Sequence, residues 1–500
     1  MLSPLLLIPF LGCLILLLLP SRIPPTRMRA LAIIVLSLQL LWSVRVVFAF
    51  DPSEGGLQLR ESIDWVSSLG LNYRLGVDGL SLPLVLMNGA LTLVSAVCTR
   101  EISKRPRLYF AMLLLISGAV NGAFLADNLL LFFLFYELEL IPLWLLISIW
   151  GGEQRAVAAT KFLIFTAVSG FLILASFLGL ALISGTVDFS LTPILSDQLS
   201  MGSQLVLLIA LLVGFGIKIP LVPFHSWLPD AHTQASTPVS VLLAGVLLKL
   251  GTYGLLRFCL GLFPEAWALL APWLAIWAAI SVLYGSLAAI AQRDMKRMVA
   301  FSSIGHMGYV LLAAAAATPA SLLGAVFQMV SHGFISALLF LLVGIVYRKT
   351  GTRDLEVLRG LLNPERGLPL TGSLMILGVM ASAGLPGMAG FISEFLVFRG
   401  SIQAFPFATL LCIVGSGLTA VYFLLLVNRA FFGRLAITPT SDPESDARLD
   451  VQLAPVAPRE TVPAMALAFA VVAIGLLPSG LARISDSATN LLALAAGGVG

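Results

Sequence analysis

Long apolar runs separated by short polar connections dominate this chain. A helix needs about 20 apolar residues to cross the hydrocarbon core of a bilayer, and on this basis we predict about fourteen transmembrane helices. Their approximate cores are 4–20, 28–49, 78–98, 108–126, 128–150, 158–184, 204–225, 237–260, 267–290, 297–317, 321–347, 369–399, 404–434 and 461–482. Only the connections 50–77, 185–203 and 435–460 are long, which leaves no room for a soluble catalytic domain.

Two of the predicted helices contain helix-breaking residues. In the seventh, Pro220, Pro223 and Pro229 each lack a backbone donor, so we expect this helix to break near Lys218. In the twelfth, the run AGLPGMAG at 383–390 predicts a second break just before Glu394. One interrupted segment in each half of a membrane protein points to inverted repeats with a site near the midplane.

These features predict an all-α, polytopic membrane protein organised in four parts. Residues 1–107 hold the first three helices, 108–260 the first repeat, 261–434 the second, inverted repeat, and 435–500 a loop and the last helix. We expect the first apolar segment to be a helix and not a cleaved signal, because it lacks a basic start and a small-residue cleavage site.

Composition agrees with this class and excludes several others. Hydrophobic residues make up 59% of the chain and charged residues 11%, against roughly 25% charged residues in a soluble domain. The four cysteines are scattered, so neither an iron–sulfur cluster nor a disulfide framework is predicted, and no nucleotide-binding motif is present. The net charge of +4 is explained by basic loops that fix topology, so we expect no nucleic-acid partner.

The basic residues predict the orientation in the membrane. Lys and Arg are concentrated in the connections that follow odd-numbered helices, which the positive-inside rule places on the cytoplasmic side. Both termini are therefore expected on the opposite side, together with the acidic connection at 50–77. The basic clusters are Arg100, Lys104, Arg105 and Arg107, and Arg293, Lys296 and Arg297.

Several ionisable residues fall inside the apolar segments. A lysine at the bilayer centre costs about 2.5–3.5 kcal/mol, so Lys218 and Lys249 are functional candidates. Glu137 and Glu139 are two residues apart and face opposite sides of a helix. We predict that Glu137 is the deeper one and forms a proton-holding pair with Lys218. Burial brings the pKa values of lysine and glutamate towards neutrality, where both exchange protons.

Two histidines lie on polar stripes of otherwise apolar helices. His332 recurs with Gln328 and Ser336 at every fourth position, and His306 shares a stripe with Ser302 and Tyr309. Histidine titrates near neutral pH and is suited to pass protons between such groups. With Glu394, these residues predict a discontinuous row of proton stations across the bundle.

Each candidate also has a structural interpretation. Lysines near helix ends commonly snorkel to the interface, which is the alternative for Lys161 and Lys249. Glu139 is equally suited to a structural role, and Glu394 to stabilising the unwound backbone before it.

The histidines have structural alternatives as well. His225 and His232 are better placed to organise the turn after the seventh helix than to carry protons, and His306 to cap a helix contact. A metal site is not expected from the four histidines, because only two are close in sequence and no cysteine joins them.

The chain resembles the antiporter-like membrane subunits of respiratory complex I. The motifs that carry the resemblance are FYELELIPLWLLISIWGG, GIKIPLVPFHSWLPDAHTQASTPVSVLLAGVLLKLGTYGLLRF, QRDMKRMVAFSSIGHMGYV, QMVSHGFISALLFLLVG and GLPGMAGFISEF. It covers nearly the whole chain and is strongest over residues 70–435. Glutamate at position 394 is similar to the M-type (chain 4) branch, and the Glu137, Glu139 doublet to its cyanobacterial and plastid form.

The resemblance implies fourteen helices with two inverted five-helix repeats, in the membrane arm of a complex I-like NAD(P)H- or ferredoxin-dependent quinone oxidoreductase. By this analogy Glu137, Lys218 and Lys249 form the input half of a proton channel, and His306, His332 and Glu394 the output half. No cofactor is expected in this chain. NAD(P)H or ferredoxin, quinone and iron–sulfur clusters would belong to hydrophilic redox subunits and other partners, next to further antiporter-like subunits and lipids.

Three functions stay open at this point. The preferred one is proton translocation in such a complex, in a cyanobacterial thylakoid or plasma membrane, with respiratory, cyclic-flow and carbon dioxide uptake variants undistinguished. The second is a subunit of a multisubunit cation/proton antiporter. The third is a purely structural membrane subunit, in which the buried charges serve assembly alone.

Overall fold

Helices build almost the whole molecule. The computed structural model describes residues 1–20, 22–100, 102–186, 189–191, 199–437 and 452–497. The helices are α1 (Pro4–Leu18), α2 (Pro25–Ala49), α3 (Ser81–Cys98), α4 (Pro106–Leu125), α5 (Leu129–Trp150), α6 (Arg155–Ser184), α7 (Met201–Lys218), α8 (Trp227–Gln234), α9 (Thr237–Leu260), α10 (Pro264–Ile290), α11 (Met295–Ala316), α12 (Pro319–Thr350), α13 (Pro369–Ser382), α14 (Ala389–Ser401), α15 (Pro406–Phe431), α16 (Pro458–Leu476) and α17 (Ser479–Ala495).

The described residues include 12 helices long and apolar enough to span a membrane. The chain is therefore a multi-pass integral membrane protein, as predicted. The count of fourteen stays a prediction, because α1 is shorter than these 12 and the twelfth predicted segment consists of the two half-helices α13 and α14.

Three helices form the centre of the bundle. The apolar stretches of α9 and α11 are wholly buried and that of α12 nearly so, whereas less than half of the apolar stretch is buried in α2, α6 and α15. Small residues allow these central helices to pack closely. A Cβ at Gly285 of α10 would lie 2.8 Å from the backbone nitrogen of Gly305 in α11. An ionisable residue within the buried apolar stretches of these helices is therefore shielded from lipid.

The seventh predicted helix breaks where the prolines indicate. Helix α7 ends at Lys218, and an irregular segment containing Pro220 and Pro223 leads to α8. The indole of Trp227 donates to the Ile217 carbonyl at 2.9 Å, which satisfies one acceptor near the break. The third proline, Pro229, lies in the first turn of α8, where its missing N–H costs no helical hydrogen bond.

The twelfth predicted helix breaks as well. Helix α13 ends at Ser382 and α14 begins at Ala389. Between them Gly384 and Gly387 adopt φ values of +72° and +88°, which side chains disfavour. The Ser331 hydroxyl of α12 donates to the Ala389 carbonyl at 3.1 Å and ties the break to the bundle centre.

Two elements depart from the predicted pattern. The connection 50–77 contains an antiparallel hairpin of β1 (Gln58–Val66) and β2 (Leu71–Val77). Charged residues interrupt the apolar alternation of β1, so the hydropathy pattern does not predict this strand. The last predicted helix, 461–482, is in fact two: α16 ends at Leu476, and a separate helix, α17, follows Pro478.

The predicted connection 435–460 falls partly outside the described residues, which omit 438–451.

Candidate functional site

A buried ion pair lies at the end of α7. The ammonium group of Lys218 contacts the carboxylate of Glu139 in α5, and both side chains are almost completely shielded from solvent. The ring of Tyr136 lies under the ammonium, with its centroid 3.7 Å from Nζ. Because the ion pair and the aromatic face both stabilise the cation, this arrangement can hold a charged lysine inside the bundle.

The pairing corrects the prediction that Glu137 is the deeper carboxylate and the partner of Lys218. The α-helical pattern of α5 is interrupted at Glu139, three residues before Pro142, which cannot donate to the Leu138 carbonyl. The Glu139 side chain is fully buried in the bundle. Glu137 is half-buried and lies against Gly170 of α6, where a Cβ would overlap its carboxylate. No ion pair joins Glu137 to another described residue.

Lys249 occupies the centre of the molecule on α9. It is fully buried, so the snorkelling alternative is wrong for this residue. Its ammonium donates to the Ala244 carbonyl at 2.6 Å and contacts Nδ1 of His332 at 2.7 Å. A π-helical turn at Leu243–Leu247 makes the first contact possible. The Leu248 N–H bonds to the Leu243 carbonyl, five residues back, and leaves Ala244 without that α-helical donor.

A row of buried groups continues from Lys249, and we call it the Lys249 row: Lys249, His332, His306 and Glu394. The rings of His332 and His306 are 5.4 Å apart between centroids. Nδ1 of His306 lies 3.9 Å from the Glu394 carboxylate. All four residues are at most 5% exposed.

Small residues and hydroxyls hold the far end of the row. Nε2 of His306 contacts the Ser382 hydroxyl at 3.0 Å, and Ser416 donates to the Glu394 carboxylate at 2.6 Å. A Cβ at Gly384 would lie 2.9 Å from that carboxylate, so Glu394 packs directly against the second break. A cavity of about 10 Å³ lies between His306, His332 and Glu394, at the lower limit of the space for one water molecule.

The Lys218 pair and the Lys249 row are neighbours in the bundle. Gly251, two residues after Lys249, packs against the Lys218 stem, where a Cβ would lie 3.3 Å from that of Lys218. Helices α7 and α9 therefore pack against each other beside the two lysines, and we treat the Lys218 pair and the Lys249 row together as one region from α5 to α14.

Two of the predicted candidates lie outside this region, and a third, His232, lies within electrostatic range of Lys249 and His332. Lys161 is half-buried and forms an ion pair of 2.8 Å with Asp230. His225 packs edge-on against Tyr284, with ring centroids 4.7 Å apart. His232 is fully buried and stacks on Phe340 at 4.3 Å.

The sequence analysis missed the groups that complete the site. Tyr136, Ser382 and Ser416 contact its charged or titratable atoms, and Gly170 makes room for Glu137. Only Tyr136, adjacent to Glu137 in the sequence, stood inside a motif already singled out. Among the described residues no cluster of three or more His, Cys, Asp or Glu side chains is arranged to hold a metal ion.

A helical membrane bundle with two interrupted helices and buried ionisable residues between them is typical of ion-translocating membrane proteins. A family model described as NADH:quinone oxidoreductase/Mrp antiporter, transmembrane, matches residues 126–419. The chain belongs to this family, which confirms the resemblance carried by the motifs.

Curated relatives agree with this assignment. NAD(P)H-quinone oxidoreductase chain 4 1 of Synechococcus elongatus is 43% identical over 89% of this chain and 82% of its own length. NAD(P)H-quinone oxidoreductase chain 4 2 of Thermosynechococcus vestitus is 38% identical over 98% of this chain and 91% of its own length. Both relatives are cyanobacterial, as the Glu137, Glu139 doublet indicated.

Solved structures show the same fold. A chain of respiratory complex I from Thermus thermophilus with bound NADH superposes with a TM-score of 0.88 at 29% identity, covering 100% of both chains. A chain of the Mrp complex from Dietzia superposes with a TM-score of 0.86 at 23% identity, covering 98% of this chain and 97% of its own. The second similarity concerns the fold alone.

Proposed function

We propose that this chain is the proton-translocating membrane-arm subunit of a complex I-like NAD(P)H- or ferredoxin:(plasto)quinone oxidoreductase. The observation that carries the proposal is the Lys249 row, a buried sequence of groups able to exchange protons that ends at the second helix break. Relatives at about 40% identity bear the name of a quinone oxidoreductase subunit, which supports the same function.

In this proposal the proton moves between named atoms. Lys249 gives its proton to Nδ1 of His332, which it contacts, and His332 releases a proton from its other ring nitrogen. The small cavity lined by both histidines is the place where this proton passes from His332 to His306. His306 presents Nδ1 to Glu394, from which the proton leaves the row.

The Lys218 pair acts as the control element. While Glu139 stays in contact with Lys218, the positive charge is held away from the row. Separation of the pair would leave a buried ammonium without its counter-ion, which favours release of its proton. Conformational changes that arrive from redox subunits would drive this separation. The structure thereby suggests Glu139 for the role that the sequence analysis gave to Glu137.

The remaining assignments follow from the same function. We place the inverted five-helix repeats at 108–260 and 261–434, supported by one broken helix in each. The redox centres, NAD(P)H or ferredoxin, and quinone would reside in hydrophilic partners, beside other antiporter-like subunits and membrane lipids. We place the basic loops on the cytoplasmic side of a cyanobacterial thylakoid or plasma membrane, with both termini opposite.

The antiporter alternative has weaker support. The Mrp chain resembles this one at 23% identity, below the identity of either oxidoreductase relative and of the complex I chain. We therefore do not propose cation exchange.

The test is proton uptake by membrane vesicles during quinone reduction, with assembly followed on blue-native gels. We expect Lys249→Ala to abolish proton uptake while the complex still assembles. Lys161→Ala is the matched control, since this lysine lies outside the row, and we expect it to pump normally. Normal pumping by Lys249→Ala would contradict the proposed row. Loss of assembly alone, with unchanged proton uptake per quinone in what remains, would support the structural alternative.

A further inference from the structure

A polar cavity lies at the end of the bundle that carries the basic loops. Its volume is about 720 Å³, and it is bounded by the ends of α3, α5, α11 and α12 and by the connection between α8 and α9. Four cationic side chains line it: Arg100, Lys296, Arg348 and Arg353. Glu153 is the one carboxylate in its described lining. The cavity plays no part in the Lys249 row.

Lys296 is the unusual member of this lining. It is the second residue of α11, where the helix dipole already disfavours a positive charge. Its side chain is 4% exposed, and its ammonium donates to the Ala235 carbonyl at 2.6 Å. No carboxylate among the described residues forms an ion pair with it. The nearby Asp294 caps the helix and pairs with Arg353 at 3.2 Å instead. A buried ammonium without a counter-ion either loses its proton or is stabilised by an anion that completes its surroundings.

Two further donors face the same cavity with unused hydrogen-bonding capacity. Arg348 pairs with Glu460 through Nη2 at 2.9 Å, but its buried Nε has no hydrogen-bond partner in the described chain. The buried Ser236 hydroxyl lies near the Tyr109 hydroxyl but forms no hydrogen bond of standard geometry in the described chain. Glu460 is shared between Arg348 and Arg100, so one carboxylate serves two guanidinium groups. The cavity thus combines excess positive charge with unsatisfied donors.

We propose that this cavity binds an oxyanion of the phosphate or sulfonate class, held by Lys296, Arg348 and the Ser236 hydroxyl. Guanidinium and ammonium groups form short, charge-assisted hydrogen bonds to such oxygens. The anion is either free phosphate or the headgroup of an anionic lipid. A second cavity of about 170 Å³ shares Arg100 with the first and is also lined by Pro25 and Thr26 of α2. Because α2 lies at the periphery of the bundle, a lipid headgroup could enter through this second cavity. This proposal is independent of proton translocation.

The test is cryo-electron microscopy of the assembled complex in three preparations and one comparison sample. The first is in phosphate-free detergent, the second has added inorganic phosphate, and the third is in nanodiscs of phosphatidylglycerol, with phosphatidylcholine nanodiscs for comparison. We expect a compact density between Lys296 and Arg348 with phosphate or phosphatidylglycerol. Density that continues into acyl chains identifies a lipid headgroup, and isolated density that depends on added phosphate identifies the free anion.

Two variants make the test specific. Lys296→Met should weaken phosphate binding at least about tenfold and remove the density, because it deletes a charge-assisted contact. Arg293→Gln removes a charge from the same end of the bundle at an exposed side chain paired with Glu356, and should leave the density unchanged. Separate water peaks alone in the wild type, or an unchanged density in Lys296→Met, would overturn the proposal. The wild-type maps decide the matter even if Lys296→Met fails to assemble.

Discussion

Glu139→Gln provides the sharpest test of the site, because the sequence and the structure assign the Lys218 counter-ion to different carboxylates. The substitution keeps the shape of the side chain and removes its charge. It leaves the Lys218 ammonium buried above Tyr136 without an ionic partner. Removal of one member of a buried pair costs about 3–5 kcal/mol. Glu137 is half-buried and has no such contact, so we expect Glu137→Gln to cost less than about 1 kcal/mol.

The measurement is the rate at which the purified complex loses this chain on heating at a fixed temperature. Each 1.4 kcal/mol corresponds to about tenfold in rate, so Glu139→Gln should accelerate dissociation by about 100-fold or more. Glu137→Gln should change the rate by less than about fivefold. The double variant Glu139→Gln/Lys218→Met contains no unpaired lysine charge. Its destabilisation should therefore differ from the sum of the two single destabilisations by about 1–3 kcal/mol.

Two results would refute this reasoning. One is a larger non-additivity in the double variant Glu137→Gln/Lys218→Met than in Glu139→Gln/Lys218→Met, which would show that Lys218 is coupled more strongly to Glu137. The other is strict additivity of Glu139→Gln and Lys218→Met. Proton uptake serves as the second readout, and Glu139→Gln should reduce it in whatever complex survives.

Three further predictions concern other parts of the protein. Lys249→Arg should abolish proton uptake with assembly intact, because arginine keeps its proton in a protein, and wild-type pumping would exclude Lys249 as a carrier. Gly384→Ala should destabilise the complex more than Gly185→Ala does, as measured on blue-native gels after heating. Both glycines have positive φ, but only Gly384 also packs against the Glu394 carboxylate. Lys161→Gln should lower stability by at most about 1 kcal/mol in a thermal-dissociation assay, because its ion pair is about one third exposed, and a larger loss would show a role that the geometry does not indicate.

The sequence was sufficient to predict the broken helices and most of the row. Prolines at 220 and 223 and the run at 383–390 act through local backbone chemistry, which does not depend on what packs around them. The polar stripes of α11 and α12 likewise predicted that His306 and His332 share the bundle interior. Helical periodicity fixes the face on which a side chain lies, and the central position of both helices makes that face an interior one.

The carboxylate partner of Lys218 could not be predicted in this way. Periodicity placed Glu137 and Glu139 on opposite faces, but the choice between them depends on which face of α5 points to the bundle interior. Pro142 indicates the interruption at Glu139 but not the orientation of the helix around it. Lys296 was missed for a related reason. Its neighbours Arg293 and Arg297 are partly exposed, so the whole cluster was interpreted as a basic loop that fixes topology. The sequence gives no sign that Lys296 alone is buried.

The charged members of the region share a structural property that the histidines lack. Lys218 ends α7, Glu139 occupies the turn in α5, Lys249 follows a π-helical turn, and Glu394 packs against the second break. At such irregular points backbone groups lose their helical partners and can stabilise a charge, as the Ala244 carbonyl does for Lys249.

His306 and His332 lie on regular helices, and an imidazole can remain neutral there at little cost. The division has a mechanistic consequence. In the proposed mechanism a charge rests at the irregular points and only passes through the histidines, so we expect a moving proton to be drawn from one helix break towards the other.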